Sequence, residues 1–312
     1  MNERGKSSRA GWLPKWLAPR GLSRPLIGIV SDSASCLPEA YRDRPGFIEV
    51  NVPIIVDNQV LGDDSQALMM GLAMGRSVKT SRPAPGEFER AYRALLEVGC
   101  QQVLSIHFSS RLSGTVDAAR LAATQFQDQV TVLDSHTVAL PLGFALADVL
   151  DARDGGAPID VLKSIVEQAT ENTVYFAVPS LEQLRRGGRI SAVSSVLGNL
   201  LNVKPILTIE QGSITALEKP RSFARAQARL VSLALRDAKQ AGGATRLGVM
   251  HFGAQELATE IATELAPFSC QPVVIESLPS VLAAHTGMGV LAVCAATLDP
   301  QPVDNTPETL NP

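Results

Sequence analysis

Apolar and polar positions alternate along this chain in blocks rather than one by one. Leu26-Ile27-Gly28-Ile29-Val30 is a short apolar run that stops at Ser31-Asp32-Ser33, the pattern of a strand buried on both faces. Phe88, Tyr92, Leu95 and Leu96 fall at i, i+4, i+7 and i+8 behind Pro85, which suits the first position of a helix. This spacing predicts a helix that leads into a strand over residues 103–108. A helix is expected again over about 114–125, and a third apolar run, 130–133, ends in acid plus hydroxyl at Asp134-Ser135. Strands alternating with helices imply a parallel sheet joined by right-handed crossovers.

A second block begins near Thr173. Residues 174–178 are strand-like, and after Gly187-Gly188 the run 203–209 reaches a turn at Gln211-Gly212-Ser213, where two strands can pair as a hairpin. A helix over about 222–239 and strands at 247–251, 273–277 and 289–295 complete the pattern. Residues 151–158, with Gly155, Gly156 and Pro158, read as a domain boundary or as a loop inside the first domain.

With 312 residues, 45% of them hydrophobic and 19% charged, the chain has an ordinary globular composition and length for about two domains. A net charge of −3 supplies no basic field, so general nucleic-acid binding is not expected. Cys36, Cys100, Cys270 and Cys294 lack the spacing of a zinc site or redox pair and are expected to be buried thiols. No apolar stretch approaches a membrane span and no signal peptide is apparent, which makes a cytoplasmic location the default expectation.

Residues 1–24 differ from the rest. Arg4, Lys6, Arg9, Lys15, Arg20 and Arg24 against Glu3 give a net +5, with Trp12, Leu13, Trp16 and Leu17 among them. This segment reads as a transient membrane-surface contact or as a flexible tail, and Pro14 and Pro19 limit any helix to about one turn. Residues 298–312 carry four prolines and are expected to be disordered.

The candidate chemistry lies at the ends of predicted strands. Ser109-Ser110-Arg111-Leu112-Ser113-Gly114-Thr115 crowds hydroxyls at a helix N-terminus, where free N–H groups and the helix dipole favour an anion. Ser113 and Thr115 equally suit a simple cap. Thr80-Ser81-Arg82-Pro83-Ala84-Pro85 places hydroxyls too early to be first-choice caps of the following helix. Gly187-Gly188-Arg189 offers an arginine that can grip a carboxylate or phosphate, and Arg221 and His285 are further candidates. One reading is a serine hydrolase, with Ser113 as nucleophile, His285 as base and Asp32 or Asp134 as orienter. Its Gly-x-Ser-x-Gly signature is missing, as are a phosphate loop and a His-Glu-x-x-His metal pair. The other is a binding protein for an anionic ligand, which needs no such motif.

Seven motifs occur in an order that resembles the DegV family of bacterial fatty-acid-binding proteins. They are Ser31-Asp32-Ser33, Thr80-Ser81-x-Pro83, Ser109-Ser110-x-Leu112-Ser113-Gly114-Thr115, Asp134-Ser135, Leu184-x-x-Gly187-Gly188-Arg189-Ile190, Val203-Lys204-Pro205-Ile206-Leu207 and His285-Thr286-Gly287-x-Gly289. The resemblance runs from about residue 26 to 297. It implies a two-domain α/β protein: a first domain over 25–172 with a mainly parallel sheet flanked by helices, and a second over 173–297 with a mixed sheet and helices. A long-chain fatty acid would lie in a tunnel at the interface, with no other cofactor and no metal. Thr80, Ser113 and His285 would contact its carboxylate, with Ser110 and the Gly114 amide close by. Arg189 and Arg221 would help present the head group to a separate fatty acid kinase subunit that feeds phospholipid metabolism, the binding protein itself being non-catalytic. Arg82 and Ala84 stand where the family usually has Gln and Ser, and Met288 where it has Pro, which bears on loop shape and chain selectivity.

Overall fold

The computed structural model describes residues 26–62, 64–189, 203–241 and 244–298. The extension 1–24 and the tail beyond Leu298 lie outside them.

The first sheet contains β1 (Ile27–Asp32), β2 (Phe47–Val50), β6 (Gln102–His107) and β7 (Val130–Asp134), all parallel, in the order β2-β1-β6-β7. A short helix, α1 (Glu39–Arg42), lies between β1 and β2. One face of the sheet is covered by α3 (Pro85–Glu97) and α4 (Thr115–Ala123). Pro85 opens α3 as its spacing predicts, and Phe88, Ala91, Tyr92 and Leu95 are buried. Each of the larger of these side chains contributes about 1.5–3 kcal/mol by leaving water.

The second sheet contains β8 (Thr173–Ala177), β9 (Ile206–Glu210), β10 (Ser213–Glu218), β11 (Thr245–His251), β12 (Val274–Ser277) and β13 (Leu291–Thr297). Its order is β10-β9-β8-β13-β11-β12, and only the β11/β12 pair is parallel, so this sheet is mixed. The expected hairpin joins β9 to β10 through Gln211 and Gly212, both at positive φ, which matches the right-handed twist of the strands. Between β8 and β9 lies α7 (Glu182–Arg186). On one face lie α8 (Phe223–Gln240) and α9 (Gln255–Leu265).

Two helices connect the sheets. Residues of α5 (Leu140–Asp154) are buried almost all round, because this helix lies between Ile29 and Ile106 of the first sheet and Met250 and Cys294 of the second. Gly143 lets its backbone approach the carbonyls of Ser35 and Cys36, where a Cβ would lie 2.6 Å from each oxygen. The Asp148–Arg246 ion pair, with Arg246 over the Phe144 ring, ties α5 to β11. The sequence leaves 151–158 as boundary or loop. Asp151 to Asp154 instead form the last turn of α5, and α6 (Ile159–Gln168) follows after the turn.

A third unit was not anticipated from the sequence. It comprises β3 (Ile54–Val56), β4 (Gln59–Leu61) and β5 (Val78–Thr80), antiparallel in the order β4-β3-β5, with α2 (Ser65–Ala73). It packs against α10 (Ser280–Thr286) of the second block. One further correction concerns the cysteines: Cys36, Cys100 and Cys294 are buried, but Cys270 is exposed, in the turn before β12 where no layer covers it.

Candidate functional site

Three parts of the chain meet around an apolar cavity of about 90 Å³. Its floor comes from the second sheet, with Val174 and Phe176 of β8, Met250 of β11 and Ala292 of β13. Phe108, Leu112, Val138 and Ala139, from loops at the C-terminal edge of the first sheet, form another wall. Leu278, Val281 and Leu282 line a further side. Four of its polar residues are Thr80, Ser113, Arg189 and His285, each singled out by its motif. A fifth, Thr286, spends its hydroxyl on the carbonyl of Leu282.

The small sheet explains how Thr80 arrives. It sits at the end of β5, and because that sheet lies on α10, its Oγ1 comes within 2.8 Å of His285 Nε2. The other ring nitrogen, Nδ1, is shielded from solvent and has no hydrogen-bond partner among the described residues. Burial, and then the Arg189 guanidinium, push the His285 pKa down to about 4, so the imidazole is neutral near pH 7. Among the described residues Arg189 is anchored twice. Its Nε donates to the Leu112 carbonyl at 3.1 Å and its Nη1 to the Gly187 carbonyl at 2.5 Å.

Ser113 lies two residues before the start of α4. The helix N-cap is Gly114 and no side chain caps it, so the capping reading of Ser113 and Thr115 does not hold. Their hydroxyls instead lie 2.8 Å from each other, which leaves Ser113 facing the cavity. The Gly114 amide is not part of the cavity wall, and the Arg82 side chain lies against that glycine. Ser110 lines an outer cleft of about 350 Å³ together with Arg111, Ser113 and Arg189. Its backbone N–H is held by Asp134. Arg221 is exposed in the turn before α8 and lines neither space. The two halves are also joined at the cleft rim, where Ser109 Oγ donates to the Gly212 carbonyl at 2.7 Å.

A hydrolase triad does not assemble. His285 pairs with Thr80, Ser113 pairs with Thr115, and Asp134 accepts from Ser110 and His136. Asp32 is committed elsewhere, its Oδ2 lying 2.9 Å from His107 Nδ1. Beyond that ring, His107 Nε2 lies 2.7 Å from Ser105 Oγ, which lies 2.8 Å from the Tyr92 hydroxyl. All four side chains are inaccessible. Sequence reasoning missed this chain of polar groups. The available signal was a histidine and a serine two apart in a buried strand, both facing the Tyr92 side of α3. Among the described residues, no group of His, Cys, Asp and Glu could hold a metal, and no helix is long and apolar enough to cross a membrane.

The family profile described as "Uncharacterised protein, DegV family" matches residues 26–298. A DegV domain-containing protein of Streptomyces coelicolor is 36% identical over 279 residues, covering 87% of this chain and 98% of its own. One from Deinococcus radiodurans is 33% identical over 278 residues, covering 87% and 99%. Among solved structures, a fatty-acid-binding DegV family protein from Thermus thermophilus superposes with a TM-score of 0.81 at 30% identity, covering 87% of this chain and 99% of that one. DegV from Bacillus subtilis, a fatty acid binding protein, gives 0.78 at 28% identity, covering 88% and 100%.

Proposed function

The chain belongs to the DegV family, and from that premise we propose that it is a non-catalytic lipid-binding protein that holds a long-chain fatty acid and presents its carboxylate to a separate fatty acid kinase subunit. The observation that carries this reading is that Thr80, Ser113, His285 and Arg189 line one mainly apolar cavity, with Thr80 against His285 and the Arg189 charge felt by that ring. That arrangement suits an amphiphile with one anionic head. A sixteen-carbon tail leaving water gains on the order of 12 kcal/mol gross at about 0.8 kcal/mol per methylene, before the costs of association. The head group adds little net affinity but sets orientation, since a buried carboxylate is costly unless donors meet it.

In the proposed complex the acyl chain lies along the apolar lining, against side chains such as Leu112, Leu282 and Met250. Ser110 and the anchored Arg189 lie on the outer cleft, where a carboxylate at the cavity mouth would meet the kinase. Arg221, exposed in its turn, is assigned to kinase contact rather than to the ligand. The protein is expected to act in the cytoplasm, where the kinase step would supply acyl phosphate for phospholipid metabolism.

The test is to purify the full chain without added lipid, compare native with denatured mass, and identify what is extracted. A stoichiometric long-chain fatty acid is expected. A protein that is empty, and that palmitate and oleate both fail to stabilise thermally, would overturn the reading.

A further inference from the structure

The two neighbouring glycines of the 184–190 segment are there for different reasons. Gly188 has φ +73°, a conformation that favours glycine. Gly187, the C-cap of α7, has φ −76° and ψ −9°, which any residue adopts. What requires glycine at 187 is His285: a Cβ there would overlap Nδ1 and lie 2.8 Å from Cε1 of the imidazole. The ring edge carrying Nδ1 thus sits against bare backbone. Among the described residues it has no hydrogen-bond partner there, while Nε2 faces Thr80 Oγ1 at 2.8 Å.

A neutral imidazole carries one proton. On Nδ1 it would be a buried donor with no acceptor, which proteins tolerate less well than an unused acceptor. On Nε2 it meets the Thr80 oxygen. We infer that Gly187 is a positioning residue that holds His285 as the Nε2–H form, so that His285 donates to Thr80 and the Thr80 proton is left to donate to the ligand. The ligand group this arrangement selects is an acceptor-only oxygen, as in an ionised carboxylate. The same Gly187 carbonyl holds Arg189, so one residue aligns both partners of the head group. That the ligand is a fatty acid rests on the function proposed above; the position of the proton does not.

The test uses the full chain labelled with 15N-histidine, with His285→Gln identifying the His285 signals among four histidines. Near pH 7.5 the His285 signals are expected to show a protonated Nε2 and a bare Nδ1; a protonated Nδ1 overturns the inference. His285→Gln places an amide N–H near the position of Nε2, whereas His285→Asn places its amide nearer Nδ1. Retention of palmitate is therefore expected to be about tenfold better in the Gln variant than in the Asn variant, and equal retention overturns the inference. Gly187→Ala should weaken retention in the natural background and add nothing to His285→Ala, since its effect passes through the imidazole. Additive losses would show a merely structural role. A wild-type chain that binds no fatty acid overturns the ligand reading alone, because the nitrogen shifts decide the tautomer whatever is bound.

Discussion

Two histidines mark two polar regions of this molecule, and they are finished differently. His107 is inaccessible and both of its ring nitrogens are met, by Asp32 on one side and Ser105 on the other. Asp32 in turn accepts from the backbone N–H groups of Ala34 and Phe108, so the network ties the end of β1 to the end of β6. Among the described residues His285 has one hydrogen-bond partner, Thr80, and it lies beside an apolar cavity. A polar cluster whose bonding capacity is saturated holds loops in place. One left short of partners at a cavity has capacity for a ligand, and here the saturated cluster supports the loop that carries Ser113 into the open one.

The largest effect expected from breaking this contrast is at the saturated cluster. Asp32→Ala leaves His107 and two backbone donors without their acceptor and should cost about 3–5 kcal/mol in urea unfolding, a large share of a domain's stability. A cost below about 1 kcal/mol would remove the scaffold role. Next comes pH. Because the folded-state pKa of His285 is about 4 and the ordinary value is 6.5, the unfolded chain binds the extra proton first as pH falls. Its contribution is complete above pH 6.5 and is lost between 6.5 and 4, amounting to about 3 kcal/mol. His285→Gln should flatten the stability profile in that window, and an unchanged profile would refute the assignment.

The hydroxyls of the open cluster should respond chiefly in binding. Thr80→Ala combined with Ser113→Ala is expected to weaken fatty-acid retention about 10–100-fold, as the loss of hydrogen bonds to a charged group does. Wild-type retention in that variant would contradict the head-group assignment. The smallest change in retention, within about threefold, is expected for Arg189→Ala. That variant should instead lower acyl-phosphate formation with a cognate kinase, and unchanged turnover would remove Arg189 from the presenting role.

Much of the first sheet was legible because strands buried on both faces are written as continuous apolar runs, and α3 because its stripe follows a proline. The hairpin at Gln211-Gly212 was legible from its turn. The β3-β4-β5 unit was not, since three-residue strands leave too little periodicity, although Asp57-Asn58, both at positive φ, form the tight turn between β3 and β4 and were a usable signal. The length of α5 was obscured for the opposite reason: a helix buried all round has no polar face to mark its period. In the site, ordered motifs named Thr80, Ser113, Arg189 and His285, and the structure places all four on one cavity. They named Ser110, Gly114 and Arg221 too, which it places off the cavity wall.

The sequence by itself determined the local elements, the order of the motifs and the family, because periodicity, proline and glycine act over a few residues. Only the tertiary structure decided which polar groups are satisfied. Asp32 meets His107 across 75 positions and Thr80 meets His285 across 205. The same aspartate could be written as the orienter of His285 until the fold gave it to another histidine. Whether a histidine serves the scaffold or awaits a ligand depends on partners that only long-range packing brings within hydrogen-bond reach.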